Sequence, residues 1–143
     1  MAGFNKSEWV ARPPKEVFDF ITNSDNASKI VSSVKSMAKL TEGSVGIGTR
    51  YRETRLMGGK EQHAELEIVE FAPHQRYAMQ NVTEGIEVVY RYNFQPERGG
   101  TRIDLVCELK ASGIKKLMLP VVASILKKED GDHLQRVKKV MEE

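Results

Sequence analysis

Cysteine is almost absent: Cys107 is the only one in 143 residues, so no disulfide can form within the chain and stability must come from a packed core. Excess charge of one sign is missing too. With 22 Lys plus Arg against 20 Asp plus Glu, the formal net charge of +2 gives no broad electrostatic footprint for nucleic acid. There is no membrane-length hydrophobic run. The most apolar stretch, Ile114 to Leu126, is too short to span a bilayer and contains Lys115 and Lys116. The start, MAGFNKSEWV, has no apolar h-region, so a cytoplasmic protein is expected.

Signatures of chemistry are equally scarce. His63, His74 and His133 do not have the spacing of a metal-ligand set, and neither a metal nor a cofactor is expected. The glycines of the Glu42 to Gly48 loop lead into a strand instead of a helix, so they lack the helix N-terminus that a phosphate cradle needs. No linker, repeat or composition shift divides residues 1–143, and one domain is expected, large enough to remove roughly two-thirds of its unfolded surface from water.

What the chain does have is a β-meander whose register follows from its turns. A two-residue hairpin at Gly58 and Gly59 sets Tyr51 opposite Leu66, Glu53 opposite Ala64 and Arg55 opposite Gln62, with Arg50 facing Glu67 and Arg52 facing Glu65 on the other side. A turn at Glu84 and Gly85 sets Tyr77 beside Tyr92, Met79 beside Tyr90 and Asn81 beside Val88. A third turn, at Gly99 and Gly100, would place Phe94 opposite Leu105, Tyr92 opposite Cys107 and Tyr90 opposite Leu109, leaving Arg91 with Glu108 and Glu97 with Arg102 outside. Pro73 and His74 join the second and third strands and bring Ile68 to Met79. All four tyrosines thus share one inner face with Glu53 and Asn81, and an apolar core does not accept so many polar groups without partners. A lined cavity is the expectation.

Around the meander, Phe4 to Arg12 reads as a first strand stopped by Pro13 and Pro14. A short helix follows with Val17, Phe18, Phe20 and Ile21 as its buried stripe. Asn23 to Asn26 caps a second helical piece ending near Val31, and Ser36 to Thr41 forms another strand. From Gly113 to Met141 an amphipathic helix, kinked or broken at Pro120, carries Ile114, Leu117, Met118, Val121, Val122, Ile125 and Leu126 at helical spacing. Its stripe should cover the meander's inner face, with Met118, Val122 and Ile125 against the cavity.

That element order is similar to a known family. The first strand, the PPKEVFDF helix, the short helix, SVGIGTRYRET, the EGIEVVYRYNFQP and GGTRI hairpin and the terminal helix together resemble the START and birch-pollen-allergen-like superfamily. Within it the chain looks most like the bacterial SRPBCC branch, grouped with polyketide cyclases, dehydrases and lipid-transport proteins. The resemblance covers essentially the whole chain. It implies an α+β helix-grip fold, a curved antiparallel sheet wrapped around a long C-terminal helix, with two short helices after the first strand and a hydrophobic cavity between. Members bind lipids, sterols, hormones or polyketides, and a minority catalyse cyclisation or hydrolysis. Many relatives carry an aromatic residue in the second short helix, where this chain offers Ile30.

Three functions remain open on the sequence. A binding or transport protein would hold a small hydrophobic or amphipathic molecule between Tyr51, Leu66, Tyr77, Met79, Val88, Tyr90 and Tyr92, with Glu53, Arg55 and Asn81 as polar anchors. The plain alternatives are tyrosines that only fill the core and a Glu53–Arg55 salt bridge at the mouth. An enzyme would use the same cavity, with Glu53 as acid or base, or His133 oriented by Asp130 or Glu129, against a simple helix-surface ion pair. Cys107 reads as a small core residue. A regulatory module or homodimer would use outward Val69, Phe71, Val82, Val89 and Val106. The lysines of the terminal helix suit transient membrane contact or a solvated face.

Overall fold

A computed structural model describes residues 2–143. Seven strands form one antiparallel sheet in the order β1-β7-β6-β5-β4-β3-β2, curved around the C-terminal helices as in a helix-grip fold. β1 (Ala2–Val10) leads through Pro13 into α1 (Pro14–Thr22), where a proline at N1 costs no hydrogen bond. Asn23 then accepts a hydrogen bond from the Asp25 amide, capping a 3-10 turn (Ser24–Asn26) that continues into α2 (Ala27–Ile30). The edge strand β2 (Val34–Lys39) precedes the meander of β3 (Arg50–Met57), β4 (Lys60–Ala72), β5 (Arg76–Thr83), β6 (Ile86–Glu97) and β7 (Gly100–Lys110).

Two hairpins take the registers expected of them. Gly58 and Gly59, and Glu84 and Gly85, both adopt positive φ, the geometry of a two-residue turn whose twist matches that of the strands. Tyr51 pairs with Leu66 and Glu53 with Ala64, while Tyr77 pairs with Tyr92, Met79 with Tyr90 and Asn81 with Val88. The third hairpin differs. Its turn lies at Arg98 and Gly99, one residue earlier than expected, so Phe94 faces Ile103, Tyr92 faces Leu105 and Tyr90 faces Cys107. That two-residue displacement keeps every side chain on its face. Arg91 still reaches Glu108, but Glu97 faces Gly100, and Arg102 pairs with Asp104 at 3.1 Å.

Between β4 and β5 two irregularities cancel. The turn holds three residues, with His74 at φ 66°, and a bulge at Val69 absorbs the extra one, so Ile68 does face Met79. Beyond the bulge the parity reverses. Phe71, expected outside, turns inward and packs edge-on against Phe18 and Tyr77, which makes α1 part of an aromatic core with Phe94.

The C-terminal segment is three pieces: a 3-10 stretch (Gly113–Met118), α3 (Leu119–Asp130) with Pro120 in its first turn, and α4 (His133–Glu142), separated from α3 by Gly131 and Asp132. α4 buries Leu134 and Val137 and packs against β1 and α2. It is pinned there by Arg136 donating to the Ile30 carbonyl and Lys138 to the Trp9 carbonyl. The stripe before Leu126 is turned mostly to solvent, and α3 packs against the sheet mainly at β1 and β7. Ile114, Leu117, Met118, Val121 and Ile125 are all exposed.

Candidate functional site

Between the sheet's inner face, α1, α2 and the last turn of α3 lies a cavity of about 300 Å³. Because strand side chains alternate, the odd-numbered residues of β3 and the matching face of β5 and β6 point into it together. Tyr51, Glu53, Arg55, Leu66, Tyr77, Met79, Asn81, Val88, Tyr90 and Tyr92 all line it. Met118, Val122 and Ile125 do not. α3 reaches the cavity only through Leu126, Glu129 and Asp130, since the stripe that was to cover the sheet is turned mostly to solvent.

A buried charge cluster forms one wall. Arg55 donates through Nε to Glu53 Oε1 at 2.7 Å and through Nη1 to Asp130 Oδ1 at 2.9 Å, with Nη2 a longer 3.4 Å from Glu53 Oε2. Tyr90 donates its hydroxyl to Asp130 Oδ2. Burial works against the guanidinium's charge, but Glu53 and Asp130 outweigh it and hold Arg55 protonated more firmly than usual. Arg55 is therefore neither a solvated rim residue nor an unpaired cation waiting for an anionic head group. Two carboxylates already face it.

Asp130, expected only as a partner of His133, is the member whose place in this cluster the sequence did not show. It closes α3, where a carboxylate meets the negative end of the helix dipole, and it is 1% exposed. Such a group needs strong partners, and it has Arg55 from β3 and Tyr90 from β6. The expectation that Asp130 or Glu129 orients His133 is corrected, because Asp130 turns toward Arg55 and Tyr90. His133 Nε2 instead shares a 2.8 Å hydrogen bond with the Tyr92 hydroxyl. Burial lowers the imidazole to about 4, with Asp130 pulling the other way, so it is neutral at physiological pH.

The tyrosines divide into two kinds. Tyr90 and Tyr92 are committed to Asp130 and His133, whereas among the described residues the hydroxyls of Tyr51 and Tyr77 have no protein partner. Both side chains are buried, at 2% and 4% exposure, and both line the cavity. Burial raises the pKa of both phenols, Tyr77 more strongly, so they stay protonated donors. Asn81 is less free than expected: its amide donates to the Glu65 carbonyl and accepts from Thr83. Cys107 is buried under the sheet and its thiol is pushed up to about 11 by burial, which suits a core residue and not a nucleophile.

With this geometry in place, a family profile described as polyketide cyclase / dehydrase and lipid transport matches residues 1–142. The chain belongs to that family. Its resemblance to the SRPBCC and START-like superfamily thus holds over the sequence, and the polyketide cyclase / dehydrase and lipid transport fold is met in several solved structures. Ara h 8.0201 superposes with TM-score 0.78 at 17% identity, covering 96% of this chain and 95% of its own. TTHA0849 from Thermus thermophilus gives 0.74 at 17% identity, with 96% and 94% covered. The di-domain ARO/CYC BexL from the BE-7585A biosynthetic pathway gives 0.80 at 16% identity over 99% of this chain and 47% of BexL. At these identities the likeness concerns fold. No curated protein matches significantly by sequence.

Proposed function

We propose that this protein binds, and carries or sequesters, a small uncharged amphipathic ligand in the cavity, with an aromatic or polyketide-like compound fitting better than a long-chain lipid. The observation that carries this reading is the pair of tyrosines, Tyr51 and Tyr77, which line the cavity and whose hydroxyls have no protein partner among the described residues. Among the described residues only Ser33 Oγ is buried without a partner, so the two hydroxyls open onto the cavity, where a ligand with an acceptor at that position can take their hydrogen bonds in place of water. Apolar burial of the ligand, at about 25 cal/mol per Å², supplies most of the affinity. A volume near 300 Å³ sits at the small end of ligand pockets and favours a compact molecule. An anionic ligand would meet Glu53 and Asp130 with Arg55 already engaged, so an uncharged one is favoured.

The enzyme alternative has weaker support. A general base works best with a pKa near the operating pH, and His133, lowered to about 4 and bonded to Tyr92, is a poor one. Glu53 is held by Arg55. The protein-interaction alternative has little surface to use: Phe71 is inside and Val89 is 5% exposed, leaving Val82 and Leu56 as the large exposed hydrophobics on that face among the described residues.

Native mass spectrometry of the purified protein before and after organic extraction tests the proposal. A co-purified compound that extraction removes supports it. A crystal structure with the cavity collapsed onto its own side chains would overturn it. Turnover that Glu53→Gln abolishes while binding persists would favour the enzyme.

A further inference from the structure

We propose that the C-terminal segment from Gly113 to Lys128 is a docking surface for an anionic lipid bilayer. It is the most exposed apolar feature of the molecule. Ile114 and Leu117 are 78% and 77% exposed, Val121 61%, and Met118 and Ile125 about half. Met118, which caps α3, and Val121 and Ile125 within it follow one another by three and four residues and so share one helix face. Since α3 reaches the cavity only from Leu126 onward, this face is not part of the ligand site.

Charge decides the occupant. Between Glu108 and Glu129 the chain has Lys110, Lys115, Lys116, Lys127 and Lys128 and no acidic residue. Lys128 follows Ile125 by three residues and lies on the same face as the exposed stripe. Apolar side chains among lysines, without acids, match a surface that is anionic outside and apolar beneath, with the helix lying in the interface plane. A second copy of the chain fits less well. A two-fold interface through this face would set the same lysines against each other. Among the described residues no helix is long and apolar enough to cross a membrane.

The position gives docking a consequence. Ile125 is on the outer face while Leu126, next in sequence, lines the cavity, so a bilayer that engages α3 acts on the element closing the ligand site. The docking itself rests on surface chemistry alone and stands whatever the cavity holds.

Vesicle flotation of the full chain tests it. We expect binding to vesicles containing phosphatidylglycerol and not to pure phosphatidylcholine, weakening as salt rises. Lys115→Ala and Lys116→Ala should each lower binding roughly fivefold. Leu117→Asp with Val121→Asp should abolish it while leaving uptake of the neutral probe N-phenylnaphthylamine by the cavity unchanged, which separates failure here from failure of the ligand-binding reading. Equal binding to both vesicle types, or to neither, overturns the proposal. So does a dimer in sedimentation that Leu117→Asp dissociates, because the face would then belong to a second copy.

Discussion

Arg55 Nη1 lies 2.9 Å from Asp130 Oδ1, a bond between residues 75 apart in sequence that joins β3 to the last turn of α3. Asp130 is 1% exposed, and Glu53, the other carboxylate on Arg55, is 7% exposed. Removing the cation would leave both carboxylates buried without compensation. Arg55→Met should therefore cost about 3–5 kcal/mol of unfolding free energy in urea denaturation. Lys15→Ala, which breaks an exposed pair with Asp19 within α1, should leave the urea midpoint essentially unchanged. Comparable losses in the two variants would mean that water reaches the Arg55 cluster and screens it.

Tyr51 and Tyr90 should respond oppositely to loss of the hydroxyl. Tyr51→Phe and Tyr77→Phe remove groups with no protein partner, so stability should hold while affinity for N-phenylnaphthylamine or an extracted ligand changes, by up to about tenfold for a ligand that accepts a hydrogen bond. Tyr90→Phe takes a donor from the buried Asp130 carboxylate and should cost about 1.5–3 kcal/mol. Paired urea and fluorescence titrations of the three variants check this. A large stability loss in Tyr51→Phe would show that its hydroxyl has a structural role.

His133 makes stability depend on pH with a definite sign. Its folded pKa of about 4 lies below the ordinary 6.5, so between these values the unfolded chain holds the proton that the folded one refuses. Stability from this group is complete above pH 6.5 and is lost as the pH falls to 4. The whole loss is about 3 kcal/mol at most. Urea midpoints measured across that range should fall more steeply for the wild type than for His133→Gln. Parallel curves would mean that the imidazole protonates as easily in the folded state as in the unfolded one.

The inner face of the sheet was legible because strand parity is robust. A turn misplaced by one residue at Gly99 moved every β6–β7 pair by two positions and left Tyr90 and Tyr92 inside. Where parity itself changed, nothing local warned of it: the bulge at Val69 has no glycine to mark it, and Phe71 turned inward. The apolar spacing of residues 114–126 predicted a helix correctly but not its partner, since periodicity identifies a face without saying what lies against it. Asp130 read as a helix-surface carboxylate for a similar reason. Its partners, Arg55 and Tyr90, come from strands far away in sequence, and only the folded sheet brings them to the end of α3.

Gly100 explains the misplaced turn and offers a last prediction. The pair Gly99 and Gly100 looks like a turn, but only Gly99 has positive φ, at 76°, and Gly100 is the first residue of β7. What keeps Gly100 small is β1, through the Val10 carbonyl and the Trp9 ring. A Cβ at position 100 would lie 2.3 Å from the Val10 carbonyl oxygen and 2.8 Å from the Trp9 ring, which is itself held by its Nε1 donating to the Glu97 carbonyl at 2.6 Å. Gly99→Ala should lose about 1 kcal/mol, the cost of a left-handed backbone for alanine. Gly100→Ala should lose more, about 1–3 kcal/mol, because the backbone of β1 and an anchored indole must both move. Trp9→Leu, which frees the space above the strand, should relieve part of the Gly100→Ala penalty in a double-mutant cycle. Strictly additive losses would mean that the Val10 carbonyl, and not the indole, excludes the methyl group.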